Sequence, residues 1–255
     1  MTKKVKIRDL TTTMHNKRFN QLFRRNNVLK KLIKKSPLIL DVGANEGQTI
    51  VEMIKTFKKC NIHSFEANSN LLPKLNYIKK KFKKNSKIKI NSVAIGDKEK
   101  KTTFYLHQDP SQSSLLKINF NSKLFIKMKK YKTNKKFIYK NNIKKKVYQT
   151  TLDNYCRKNK LKKIDILKSD TQGCDLNVLR GAKKILPNVS LIVVEINFID
   201  YYEKINSFYE FEKILRNNFN FWDISMIYKN PRWGSTDFVD VIYINKKLYK
   251  KTLNK

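Results

Sequence analysis

The stretch Leu38-Ile39-Leu40-Asp41-Val42-Gly43-Ala44-Asn45-Glu46-Gly47-Gln48 decides how the rest of the chain is read. An apolar run of strand length stops at Gly43. Apolar residues then recur with helical spacing at Ile50, Val51, Met53, Ile54 and Phe57. A strand, a tight loop and a helix N-terminus in that order place a ligand at the carboxyl edge of an open α/β sheet. The glycine spacing excludes two such ligands. A dinucleotide fingerprint needs glycines two and five positions after Gly43, where Asn45 and Gln48 stand, and no Gly-Lys-Ser/Thr completes a phosphate loop.

Strand and helix patterns alternate along the chain outward from this point. Asn61-Ile62-His63-Ser64-Phe65-Glu66-Ala67 predicts a second strand, and Asn68 or Ser69 can cap a helix through Leu72, Leu75 and Ile78. Residues 87–95 predict a third strand before Gly96-Asp97, residues 102–106 and 146–151 alternate as strands, and residues 152–160 predict a short helix. Ile164-Asp165-Ile166-Leu167-Lys168-Ser169-Asp170 is the fourth core strand, followed by a helix from about Asp175 to Pro187 and a buried-type strand at 190–196. A long helix through Tyr202, Phe208, Phe211 and Leu215 precedes two last strands at 221–227 and 238–244. No helix separates these two, so the sheet is mostly parallel with an antiparallel edge pair. Between them lies a loop with Pro231, Arg232, Trp233 and Gly234, which could fold over an acceptor or pack on the sheet edge.

Residues 1–36 form a basic extension with one helical pattern through Phe19, Leu22, Phe23, Val28, Leu29, Leu32 and Ile33, and residues 37–255 form the main domain. Residues 117–149 are a Lys/Asn-rich insertion with interspersed aromatics, a pattern shared by single-stranded nucleic-acid binders and by lysine-faced hairpins.

Of 255 residues, 57 are Lys or Arg and 20 are Asp or Glu, a formal charge of +37. Such a balance suits an anionic partner. Yet the excess is mostly Lys, scattered among Asn and Ile as adenine/thymine-rich coding would produce, while Arg, the forked phosphate ligand, is scarce. Cys60, Cys156 and Cys174 fit no metal or redox spacing and point to a reducing compartment. The basic N-terminus lacks the apolar core of a secretory signal, and the longest apolar run, at 191–194, is too short to span a bilayer. A cytoplasmic protein is expected.

Four of the six glycines, Gly43, Gly47, Gly96 and Gly173, follow predicted strands. An acidic residue roughly 20 positions after a glycine loop is where ribose hydroxyls are held. Glu66, with Ala67 beside it, stands there. A cationic, phosphate-free ligand suits this lining, and S-adenosylmethionine matches it. Gly43 and Gly47 admit its amino-acid tail, Asp41 or Asn45 meets its ammonium, Glu66 takes the ribose, and Asp97 accepts from the adenine amine.

Read together in order, several segments resemble the FkbM family of methyltransferases. They are Asp41-Val42-Gly43-Ala44-Asn45-Glu46-Gly47-Gln48, Phe65-Glu66, Ala94-Ile95-Gly96-Asp97, Ser113-Ser114-Leu115, Thr151-Leu152-Asp153, Leu167-Lys168-Ser169-Asp170-Thr171-Gln172-Gly173-Cys174-Asp175 and Val178-Leu179-Arg180-Gly181-Ala182. The resemblance implies an α/β class I (Rossmann-like) methyltransferase fold, with a mostly parallel seven-stranded sheet, an antiparallel edge strand and helices on both faces. It also implies S-adenosylmethionine as cofactor, often for O-methylation of sugars or secondary metabolites. Ser169 stands where the family usually has Ile, and Asp175 where it usually has Glu, a shorter carboxylate toward the acceptor.

An activated sulfonium needs mainly proximity, alignment and exclusion of water, and a hydroxyl acceptor also needs a destination for its proton. Asp170 is the first candidate base and Asp175 the second. Glu195 is placed to orient the acceptor or the base. Ser113 and Ser114 could bond the cofactor carboxylate or the acceptor. His63 and His107 are outside alternatives, and no spacing demands a metal. The expected partner is a glycan or small-molecule acceptor. The rivals are an RNA methyltransferase and a non-catalytic basic binding module.

Overall fold

A computed structural model describes residues 27–122, 126, 143–229 and 234–253. Phe19, Leu22 and Phe23 of the expected leading helix, most of the insertion, and Pro231, Arg232 and Trp233 lie outside the described residues. The end of the leading helix is α1 (Asn27–Leu32), which sets Leu29 into the core, with Ile33 just beyond it.

A seven-stranded sheet runs β3-β2-β1-β7-β8-β10-β9. Its strands are β1 (Leu38–Val42), β2 (Asn61–Phe65), β3 (Lys87–Asn91), β7 (Ile164–Ser169), β8 (Val189–Asn197), β9 (Phe219–Lys229) and β10 (Thr236–Asn245). The pairs β1–β2, β2–β3, β1–β7 and β7–β8 are parallel, whereas β10 runs antiparallel to both neighbours. The reversed strand thus lies one in from the edge strand β9, as a helix-free connection requires.

Helices cover both faces, which is why β1, β7 and β8 are apolar almost throughout. On one face α1, α2 (Gln48–Phe57) and α3 (Leu72–Lys81) pack Leu29, Ile50, Met53, Leu75 and Ile78 over Ile39, Ile62, Ile166 and Leu191, with α7 (Lys246–Leu253) at its end. On the other, α4 (Leu152–Lys158), α5 (Asp175–Arg180) and α6 (Phe208–Leu215) set Leu152, Leu176, Leu179, Phe211 and Leu215 against Leu40, Leu167, Ile192 and Val241.

Three expected elements are divided or shortened. Residues 87–95 form two strands, because the chain leaves the large sheet after β3 and Ala94–Ile95 (β4) pairs with Gln149 and Thr150 of β6 (Ile143–Thr150). Strand β6 also pairs antiparallel with β5 (Lys100–Leu106), which makes a second sheet of order β4-β6-β5. Helix α5 stops at Gly181, well before Pro187. A Cβ on Gly181 would meet the Gly96 carbonyl oxygen at 1.9 Å, and the Asp153 carboxylate takes the amides of Lys184 and Ile185, turning the chain. The long helix through Tyr202 begins only at Phe208, where Ser207 and Glu210 form a capping box.

From β1 the chain winds outward to β3, and from β7 it winds the opposite way. The β1 and β7 loops therefore meet at a topological switch point, where such sheets hold ligands.

Candidate active site

The two loops meet as closely as backbone allows. Gly43 has φ 81°, and a Cβ there would lie 1.9 Å from the Asp170 carbonyl oxygen, so no larger residue fits. The amides of Gly43 and Ala44 both donate to Phe65 O, tying the loop to β2. Asn45 follows at φ 47°, and its amide donates to Glu66 Oε2 at 2.7 Å, while the Asn68 amide donates to Oε1 at 2.7 Å. One lone pair of each Glu66 oxygen is thus used and the other remains. Burial raises the Glu66 pKa, and the two amides oppose that rise.

A cleft opens above this junction. Its floor is Gly43, Ala44 and Asn45; Glu66 and Ala67 form one side; Val93, Ala94, Ile95 and Phe104 form an apolar wall; Ser111, Ser113 and Leu115 close another side. Asp170, Thr171 and Gln172 stand opposite, and under the start of α2 the wall continues through Gln48, Thr49, Glu52, Lys168, Val193 and Asp240. Asn45 Oδ1, in the wall, is buried without a hydrogen-bond partner.

Lys168 is the buried cation of the site. Its ammonium lies 3.4 Å from Asp170 Oδ2, 3.8 Å from Asp41 Oδ1 and 3.3 Å from Gly43 O. Burial pushes the Lys168 pKa down, but Asp170, Asp41, Asp240 and Glu195 outweigh it and the net direction is up. Asp170 Oδ1 accepts from Gln172 Nε2 at 2.8 Å, and the same nitrogen lies 3.2 Å from Glu195 Oε1.

Of the residues expected at the site, Gly43, Asn45, Glu66, Ala67, Ser113 and Asp170 share the cleft wall. The others stand elsewhere. Asp41 is fully buried beneath the loop, accepting from Ser64 and facing Lys168, because the pleat turns it under α2. Burial raises its pKa, against the pull of Lys168. Gly47 is helix packing, since a Cβ there would strike Ile78 Cδ1 at 2.5 Å. Asp97 is exposed beyond β4 and accepts from Gln149, because β4 belongs to the second sheet; Ile95 reaches the cleft in its place. Ser114 lies behind the wall and donates to Gln172 O. Asp175 caps the β7 loop by accepting from Ser169 Oγ at 2.6 Å and Thr171 N at 3.0 Å, and burial, then Asp170, push its pKa up to about 6. Glu195 is buried one step back and reaches the cleft through Gln172. His63 bonds Tyr155, and His107 Nδ1 accepts from Asp109 N.

Lys168, Gln172, Glu52 and Asp240 were not singled out by pattern. A lysine inside the apolar run Ile164–Ser169, and an aspartate inside the apolar β10, are signals that could have found two of them.

The strand order, with one reversed strand next to the edge and a cleft at the β1–β7 switch point, defines a class I methyltransferase fold. Residues 41–221 match the model of the methyltransferase FkbM domain, so this chain belongs to that family. Among solved structures it is similar to methyltransferase FkbM from Methylobacillus flagellatus KT, at 13% identity and TM-score 0.52, over 82% of this chain and 44% of that one. The chain therefore spans under half the length of that protein. Weaker likenesses are to an S-adenosylmethionine-dependent methyltransferase from Clostridium acetobutylicum (10% identity, TM-score 0.48, 94% of each chain) and an rRNA methylase from Streptococcus thermophilus (10%, 0.44, 88% and 96%). Neither of the two carries weight below. No curated protein matches the sequence.

Proposed function

We propose that the cleft binds S-adenosylmethionine and that the protein methylates a hydroxyl of a sugar, in a glycan or a small metabolite. The observation that carries this reading is the charge of the wall. In a chain of formal charge +37, the cleft is lined by Glu66, Asp170 and Asp240, and by Glu52, which pairs with Lys55, and Lys168 is the one cation among its described lining residues. Such a wall favours a cationic cofactor and a neutral polyol, and it opposes a phosphate at the reacting centre.

The residues present fit this cofactor. The orphaned Asn45 Oδ1 suits a hydrogen-bond donor such as an ammonium, Glu66 has lone pairs for ribose hydroxyls, and the wall of Val93, Ile95 and Phe104 suits an adenine. When bound, the cofactor supplies a methyl group on a sulfonium, which leaves as a neutral thioether when an oxygen nucleophile takes the carbon. Asp170, whose Oδ2 lies 3.4 Å from the Lys168 ammonium, receives the acceptor's hydroxyl proton.

The test is labelled methyl transfer into separated glycan, lipid-linked sugar and RNA extracts. Label in the glycan or lipid-linked sugar is expected. Label in RNA alone would overturn the choice of acceptor, and calorimetry showing no binding of S-adenosylmethionine would overturn the cofactor. The RNA reading has one observation in its favour, a basic groove lined by Thr103, Tyr105, Lys117, Lys144, Lys145 and Lys146 on the second sheet.

A further inference from the structure

Gln172 adopts φ 57°, a left-handed backbone that non-glycine side chains rarely take unless their surroundings impose it. The surroundings here do so from several sides. Its carbonyl oxygen accepts from Ser114 Oγ at 2.7 Å, its Nε2 lies 2.8 Å from Asp170 Oδ1 and 3.2 Å from Glu195 Oε1, and its Oε1 lies 2.9 Å from the Tyr202 hydroxyl, whose one proton it shares with Gln112 O at 3.0 Å. A side-chain amide has two N–H donors on one nitrogen, one for each carboxylate, and its oxygen can only accept. The reversed amide would turn its oxygen toward two carboxylates. Tyr202 is buried, and its ring packs where Gly173, at φ 90°, has no side chain.

We propose that Gln172 is a positioning residue, whose carboxamide, oriented by Tyr202, bridges Asp170 and Glu195 and holds both ionised, with Asp170 aimed into the cleft. The proposal rests on the reading of Asp170 as proton acceptor. Two carboxylates this close to one nitrogen repel, and each resists ionisation unless a donor stands between them. Lys168, two residues before Asp170, also faces Asp41, Glu195 and Asp240. Asp175 also acts on Asp170 from α5, and Tyr202 from the opposite side. The carboxamide supplies donors to both acids without adding charge.

The experiment needs no acceptor. In the full-length protein carrying 13C-carboxyl aspartate, the Asp170 signal, assigned by its loss in Asp170→Asn, is followed through pH. Gln172→Leu removes the amide at similar volume, and Gln172→Asn tolerates the left-handed backbone better while falling one methylene short. Both are expected to raise the Asp170 titration by about one unit or more. Tyr202→Phe, which leaves the amide unanchored, is expected to raise it less. An unchanged Asp170 titration in whichever of the two Gln172 variants keeps the wild-type backbone amide spectrum overturns the proposal. If Asp170→Asn still transfers label to the extracts, the base assignment fails, and the titration still decides the role of Gln172.

Discussion

At the residue scale, the site depends on close approach and on buried charge. Gly43→Ala would put a methyl 1.9 Å from Asp170 O and force apart the loops that form the cleft floor. It is expected to lower stability by well over ~1 kcal/mol, the left-handed cost alone, and to abolish S-adenosylmethionine binding, as thermal melting and calorimetry would read. Lys168→Met leaves the fully buried Asp41 without its cation and takes the same cation from the partly exposed Asp170, and a loss of about 3–5 kcal/mol is expected from denaturant unfolding. Asp175 carries a pH signature. Its folded pKa of about 6 lies above the unfolded carboxylate value, so the folded state binds the extra proton. Its contribution is therefore fully present below pH ~4. That contribution declines as pH rises to about 6 and is flat above it. Asp175→Asn keeps an oxygen for Ser169 and Thr171 and removes this slope. Denaturation midpoints of both proteins between those limits check the difference. A wild-type slope retained in the variant would refute the assignment.

At the scale of elements, periodicity identified strands more surely than their ends. Helix α2 and strands β1, β2 and β7 stand where the pattern puts them, since the recurrence of apolar residues is a local signal. The end of α5 was not visible in its own sequence. It is set by Gly181 lying against Gly96 and by Asp153 capping amides of the next segment, contacts between elements distant along the chain. The start of α6 was legible in principle, because Ser207 and Glu210 have capping-box spacing. Ser207→Ala is expected to cost ~1 kcal/mol of stability and to leave S-adenosylmethionine affinity unchanged, since α6 does not line the cleft. A large loss of affinity in that variant would show coupling between α6 and the cleft.

At the scale of the molecule, a formal charge of +37 surrounds an acidic cleft. The excess charge destabilises the compact state by self-repulsion, and salt screens it. Melting temperature is therefore expected to rise with added sodium chloride, and a fall would contradict the electrostatic picture. The sequence by itself determined the sheet's alternation with helices, the strand, loop and helix around Asp41–Gln48, and the acidic end of β2, because each depends on residues near one another in the chain. Only the tertiary structure decided which strand-end acids face the cleft. Asp41 and Asp170 both stand at strand ends, but pleat and pairing turn one under α2 and the other into the cleft. Asp97 left the site because Ala94 pairs with Gln149, a partner no local pattern names. Lys168, Gln172 and Asp240 came to line the cleft only when β1, β7, β8 and β10 brought them together, since a buried polar group takes its meaning from neighbours the fold supplies.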